Sequence, residues 1–184
     1  MSRSASSRAN RRGEPPPSPE PLARPAIDSH THLDIVVGER PAHGAGDEGW
    51  PDEADVDAEI AAAVAVGVPR LVQVGVDVPS SRWSAALAER HPNVLAAVGV
   101  HPNEAGAGAA DEAALAEIDR LAALPRMRAV GETGLDRFRT GPEGWAAQEA
   151  SFRAHIRIAK ERGVALVIHD RDAHEEIQRL EGGE

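Results

Sequence analysis

No cysteine occurs among the 184 residues, which excludes disulfides, thiolate metal sites and cysteine nucleophiles. Tyrosine is absent too, and the chain holds only two phenylalanines and three tryptophans. So few rings argue against an aromatic platform for stacking single-stranded bases. Long apolar runs are also missing. The longest, residues 60–68, falls far below the roughly 18 residues of a membrane span. No apolar stretch of signal-peptide type is present. We therefore expect a cytoplasmic protein without membrane association. What is there, 41% hydrophobic and 27% charged residues, suits a soluble globular chain.

Charge is unevenly placed. Residues 1–26 hold five arginines and two glutamates, whereas the rest of the chain has 15 basic and 28 acidic residues. A negative body repels a polyanion over long range, which excludes tight non-specific duplex binding. Small substrates, or nucleic acid held through metal ions, stay open. The first 26 residues are rich in Ser, Arg and Pro with almost nothing to bury, and we expect a disordered tail there. Residues 27–184 form the folded part.

From Ile27 onward, short apolar runs alternate with amphipathic ones. Candidate strands are 26–30, 71–76, 94–100, 128–132 and 165–169. Candidate helices are 54–66, 81–90, 111–123, 142–162 and 172–180. Ser80 is the expected cap of the second helix, and Gly67 and Gly163 stand where a left-handed residue closes a helix. In the fourth helix Trp145, Phe152, Ile156 and Ala159 make an apolar stripe, with Arg153, Arg157 and Lys160 facing away. The strands are apolar on both faces (VLAAVGV, ALVIH), as parallel strands covered on both sides are. Five strand–helix units imply right-handed crossovers and an α/β fold.

Four short motifs carry chemistry. In Asp28-Ser29-His30-Thr31-His32-Leu33-Asp34, two imidazoles two residues apart on a strand face the same side, their Cα atoms roughly 7 Å apart. Both rings can reach one cation, and Asp28 shares their parity. Two surface histidines at a strand end are the plain alternative. In Val130-Gly131-Glu132-Thr133-Gly134-Leu135-Asp136 an apolar strand ends in a carboxylate flanked by glycines, which permit close backbone approach. One such carboxylate can bridge two cations, or simply terminate a strand. Leu166-Val167-Ile168-His169-Asp170-Arg171-Asp172 ends in the same manner, with Asp170 or Asp172 available as a helix cap. In Val98-Gly99-Val100-His101-Pro102-Asn103, His101 suits a substrate contact, an acid/base or a turn histidine. Together these place His30, His32, His101, Glu132 and His169 at the C-terminal ends of four parallel strands, where barrels and open α/β sheets assemble their sites. His43, His91, His155 and His174 are read as ordinary.

DSHTHLD, GVHP, VGETGLD and VIHDRDA, in this order and spacing, resemble the TatD-type metal-dependent hydrolases of the amidohydrolase superfamily over residues 27–180. The resemblance implies a (β/α)8 TIM barrel, two divalent cations (zinc, manganese or magnesium) and hydrolysis of phosphodiester bonds. Nucleic acid, usually DNA, or a small phosphodiester is the implied substrate, with no obligate protein partner. By motif, His30 and His32 would hold one metal, His169 the other, and Glu132 would bridge both. Glu132 and His101 would be the catalytic pair, with His101 and Arg171 contacting substrate. Arg171 has a plain alternative, pairing with Asp172 or Glu175. The family's barrel continues for three more strands, with a further His and a Thr-Asp-Ser-Pro motif that this chain lacks. Only about the first five units are therefore expected here, as a truncated product with open sheet edges. The alternatives are an inactive fragment, or a relative hydrolysing an amide, lactone or carboxylic ester. The single lysine, Lys160, lies within a helix, which disfavours superfamily members built on a carbamylated lysine.

Overall fold

A computed structural model describes residues 17–38 and 49–183. Five strands alternate with helices: β1 (Ile27–Thr31), α1 (Leu33–Val36), α2 (Glu53–Ala65), β2 (Arg70–Val74), α3 (Val78–Arg90), β3 (Val94–Val98), α4 (Pro102–Gly106), α5 (Glu112–Ala122), β4 (Met127–Asp136), α6 (Pro142–Arg162), β5 (Ala165–Arg171) and α7 (His174–Gly183). All strand pairs are parallel and follow chain order, β1-β2-β3-β4-β5. That order, with a helix in each crossover, is that of successive units of a (β/α)8 barrel. β1 and β5 each pair on one side only, which is why they stay more exposed than β3.

The two faces of the sheet differ. Leu71, Val94, Ala96, Val98, Met127 and Val130 pack outward against Leu87, Ile118 and Ile158 of the helices. Val74, Ala97 and Ala129 form a separate cluster on the opposite face, with Val72 and Val167 against it. Leu135 joins Phe152, Ile156, Ile177 and Leu180 in a third cluster between α6 and α7.

Several boundaries differ from those expected. Helix α3 begins earlier, capped by Asp77 rather than Ser80. The Asp77 carboxylate accepts from the Ser80 amide at 2.8 Å, and the Ser80 hydroxyl accepts from the Asp77 amide at 3.0 Å. Pro79 in the first turn is preset for helix and extends it upstream. Strand β4 runs four residues beyond Glu132 and β5 two beyond His169, because the two pair out to Asp136 and Arg171. Trp145 is not in the buried stripe of α6. It lies at the surface, its Nε1 donating to the Thr140 carbonyl and the Arg137 guanidinium 4.7 Å over its ring. Of the N-terminal segment, the amides of Leu22 and Ala26 donate to the carbonyls of Val66 and Gly67. Residues 1–16, and His43 within 39–48, lie outside the described residues. No helix among the described residues is long and apolar enough to cross a membrane.

His155 is fully buried on α6. Its Nδ1 donates to the Ser151 carbonyl at 2.7 Å and its Nε2 accepts the Val100 amide at 3.0 Å. Burial lowers its pKa to about 4, against a small opposing effect of the Ser151 bond. The unfolded chain therefore takes up this proton first, near pH 6.5, and stability falls as pH drops from there toward 4. Between pH 7 and 5 the loss from this group is about 2 kcal/mol. Urea unfolding at both values should show a correspondingly shallower pH dependence in His155→Gln; equal slopes would remove His155 as the cause.

Candidate metal centre

All four motifs meet at the C-terminal end of the sheet. His30 is at the end of β1, but His32 is not on the strand: it is the residue preceding α1. A register shift between Asp28 and Thr31 turns the chain there. The two Nε2 atoms nevertheless lie 3.1 Å apart. Asp28 does not touch either ring; its carboxylate accepts the His30 backbone amide at 3.0 Å. The His32 ring is aimed by the neighbouring strand, since its Nδ1 lies 3.0 Å from the Val74 carbonyl. A carbonyl only accepts, so Nδ1 carries the proton and Nε2 keeps its lone pair for the site. Behind it, the buried Gln73 carboxamide accepts from the Leu33 amide at 2.8 Å and donates to Asp34 at 2.9 Å, locking the turn after His32.

Glu132 reaches the site through an irregularity in β4. Val130 pairs with Leu166 and Thr133 with Ile168, so three steps on β4 match two on β5. One extra residue of this kind bends a strand and re-aims a side chain. Strict alternation would put Glu132 on the helix-facing side with Val130. Two glycines make room. A Cβ on Gly131 (φ 135°) would meet the Val167 carbonyl oxygen, and one on Gly134 (φ 134°) the His169 carbonyl oxygen, each well inside contact distance.

The Glu132 carboxylate, 14% exposed, divides its oxygens. Oε2 lies 3.4 Å from His30 Nε2 and 3.8 Å from His32 Nε2. Oε1 lies 3.0 Å from His169 Nδ1 and 4.0 Å from His101 Nε2. Three atoms separated as His30, His32 and Oε2 are share a centre about 2.0 Å from each, which is the bond length of zinc to nitrogen or oxygen ligands. The imidazole–carboxylate donor set fits zinc, manganese or cobalt and, less well, magnesium. His101, Glu132 and His169 form a second group of that size.

His169 and His101 are held in opposite senses. Asp136, fully buried, places Oδ2 3.1 Å from His169 Nε2. Its Oδ1 accepts the amides of Phe138 (3.0 Å) and Arg139 (2.7 Å). With Nε2–H donated to Asp136, Nδ1 faces the site. A carboxylate behind a ligating histidine fixes its tautomer and raises its basicity. His101 precedes Pro102 at the start of α4, and its Nδ1 accepts the Asn103 amide at 3.2 Å. Its ring proton is therefore on Nε2, 3.1 Å from His169 Nδ1, and points into the site as a donor.

Charge follows this geometry. Burial opposes ionisation of Glu132, but the His169 hydrogen bond and the fields of His101 and His30 outweigh it, and its pKa is lowered. Burial likewise opposes ionisation of Asp136, outweighed by the Arg139 amide and the His169 bond. The Glu132 hydrogen bond raises His169 against its burial. Burial and the adjacent His169 lower His101 to about 4 despite the two carboxylates, so it is neutral near pH 7.

Arg171 pairs with neither Asp172 nor Glu175. Its guanidinium lies 4.1 Å over the Phe138 ring, and His174, not Arg171, bonds the Asp170 carboxylate. Asp136 and Gln73 went unassigned from the sequence. Asp136 had one signal, its place as the last acid of GETGLD; Gln73, a polar residue inside an apolar strand, had only that.

Residues 27–181 match the family model described as TatD related DNase. A Mycobacterium tuberculosis protein named an uncharacterized metal-dependent hydrolase TatD is 41% identical over 155 residues, covering 82% of this chain and 53% of that protein. An Enterobacter lignolyticus protein named a 3'-5' ssDNA/RNA exonuclease TatD is 36% identical over 126 residues, 68% of this chain and 47% of that one. The crystal structure of a TatD homologue from Escherichia coli superposes with a TM-score of 0.68 at 23% identity, over 84% of this chain and 55% of that chain, and shares the fold. The chain spans about half the length of these relatives. With its match running from the first strand to the last helix through all four motifs, the chain belongs to the TatD-related DNase family.

Proposed function

We propose that this chain is a divalent-metal-dependent phosphodiesterase acting on nucleic acid. The observation that supports it is the division of Glu132, one oxygen toward His30 and His32 and the other toward His169. His30, His32 and Glu132 would hold one cation, and Glu132 with His169 the other. When bound, such a pair supplies an acidified water and neutralises charge developing on phosphate oxygens.

The chain's own residues do the rest. Val74 and Asp136 fix which nitrogens of His32 and His169 are free. Asp136 keeps the ring proton of His169 on Nε2, so Nδ1 would be the nitrogen offered to a cation. The His101 Nε2–H is left to donate to a non-bridging phosphate oxygen, a hydrogen bond that strengthens as charge builds there. Arg171 offers a guanidinium for an adjacent phosphate. The exonuclease name of the Enterobacter relative favours a nucleic acid over an amide, lactone or carboxylic ester.

The purified chain, supplied with Mn²⁺ or Mg²⁺, is expected to hydrolyse bis(p-nitrophenyl) phosphate and single-stranded oligonucleotides, and to lose both activities with EDTA. Hydrolysis that survives the chelator would overturn the proposal, as would turnover of carboxylic esters alone.

A further inference from the structure

Phe138 is 65% exposed in a chain with only two phenylalanines. It sits beside the candidate metal centre. Its amide is held by Asp136, the carboxylate that contacts His169. Its ring is not loose: the Arg171 guanidinium lies 4.1 Å from the ring centroid. Arg171 is two residues past His169 and directly opposite Asp136 in the β4–β5 pairing, with its carbonyl accepting the Arg137 amide at 2.9 Å. Two residues of strand are about 7 Å, a step comparable to one nucleotide. Among the described residues, Arg171 makes no ion pair with a carboxylate. A ring and a guanidinium thus lie against each other where β4 and β5 end, two residues past Asp136 and two past His169, with no carboxylate among the described residues paired to the cation.

We propose that Phe138 and Arg171 form a stacking platform for one unpaired nucleobase next to the scissile phosphate. The proposal rests on the nucleic-acid hydrolysis proposed above and adds to it what holds the strand. Bases stack on aromatic faces and on guanidinium planes alike. The negative charge of the chain does not attract a strand over distance, so close contacts have to supply the grip, and stacking adds to those with phosphate. A duplex keeps its bases inside its own stack and does not offer one to the platform. The scarcity of aromatics pointed away from any such platform. A single well-placed ring with an arginine on its face is sufficient, because each stacked base contributes separately.

The test compares a fluorescent oligodeoxythymidylate with an abasic strand of the same length, titrated in Ca²⁺ and read by anisotropy. The wild-type chain should bind the base-bearing strand about tenfold more tightly. Phe138→Ala should abolish that preference and Phe138→Trp retain it, while Arg171→Ala weakens binding to both strands. Matching circular dichroism spectra establish that the variants are folded. A preference that persists in Phe138→Ala overturns the platform and leaves the hydrolysis proposal standing, as does equal wild-type binding of both strands. Failure to bind either strand, together with failure to hydrolyse bis(p-nitrophenyl) phosphate, overturns both.

Discussion

Glu132→Ala is expected to empty both cation sites at once. After dialysis against Zn²⁺ or Mn²⁺, atomic absorption should find the variant's bound metal near zero, and phosphodiester hydrolysis should fall roughly a thousandfold or more. The expectation follows from the two oxygens serving two different histidine sets. Removing the carboxylate would leave His30 and His32 as a pair of nitrogens and His169 as a lone donor. Glu132→Gln is the informative companion, since it keeps the volume and loses the charge that offsets two cations. His101→Ala should behave otherwise, keeping its metal while losing activity, because His101 offers the site a proton on Nε2 rather than a lone pair. Equal metal loss in Glu132→Ala and His101→Ala would refute that distinction.

Asp136→Asn should weaken the second site by about 10- to 100-fold in metal affinity, with a parallel fall in kcat/KM. The asparagine side-chain oxygen can still accept the amides of Phe138 and Arg139, so the loop after β4 is preserved. What goes is the negative charge 3.1 Å from His169 Nε2, which holds the proton there and would leave Nδ1 to the proposed cation. Isothermal titration with Mn²⁺ should show one class of site weakened, that of His169, and the class formed by His30 and His32 nearly unchanged. Two classes weakened equally would indicate that Asp136 supports the whole mouth of the sheet and not one ligand.

How much of this was legible in the residues depends on how far apart the deciding partners are. The apolar runs around Val94, Val130 and Leu166 mark strands because burial on both faces is written locally in the side chains. The same runs end in His101, Glu132 and His169, so a shared edge for these groups could be read once the strands were taken as parallel. Period-two reasoning about His30 and His32 reached the right neighbourhood by a path the chain does not take, because His32 is already past the strand. Helix α3 begins at Val78 because Asp77 and Ser80 cap each other, a local signal that Ser80 alone concealed. His155 looked like an ordinary helix residue. Its partner, the Val100 amide, is 55 positions away, and nothing near it in the chain announces the bond.

Residue order alone determined which donors this protein owns and that parallel strands would carry them to one end. Tertiary structure decided which atom of each donor is free. The extra residue in β4 swings Glu132 inward. The Val74 carbonyl, the Asp136 carboxylate and the Asn103 amide set the proton positions of His32, His169 and His101. An imidazole becomes a ligand or a proton donor according to what its other nitrogen touches. For His32 and His169 that neighbour arrives from another part of the chain through sheet register, which no local stretch of residues contains.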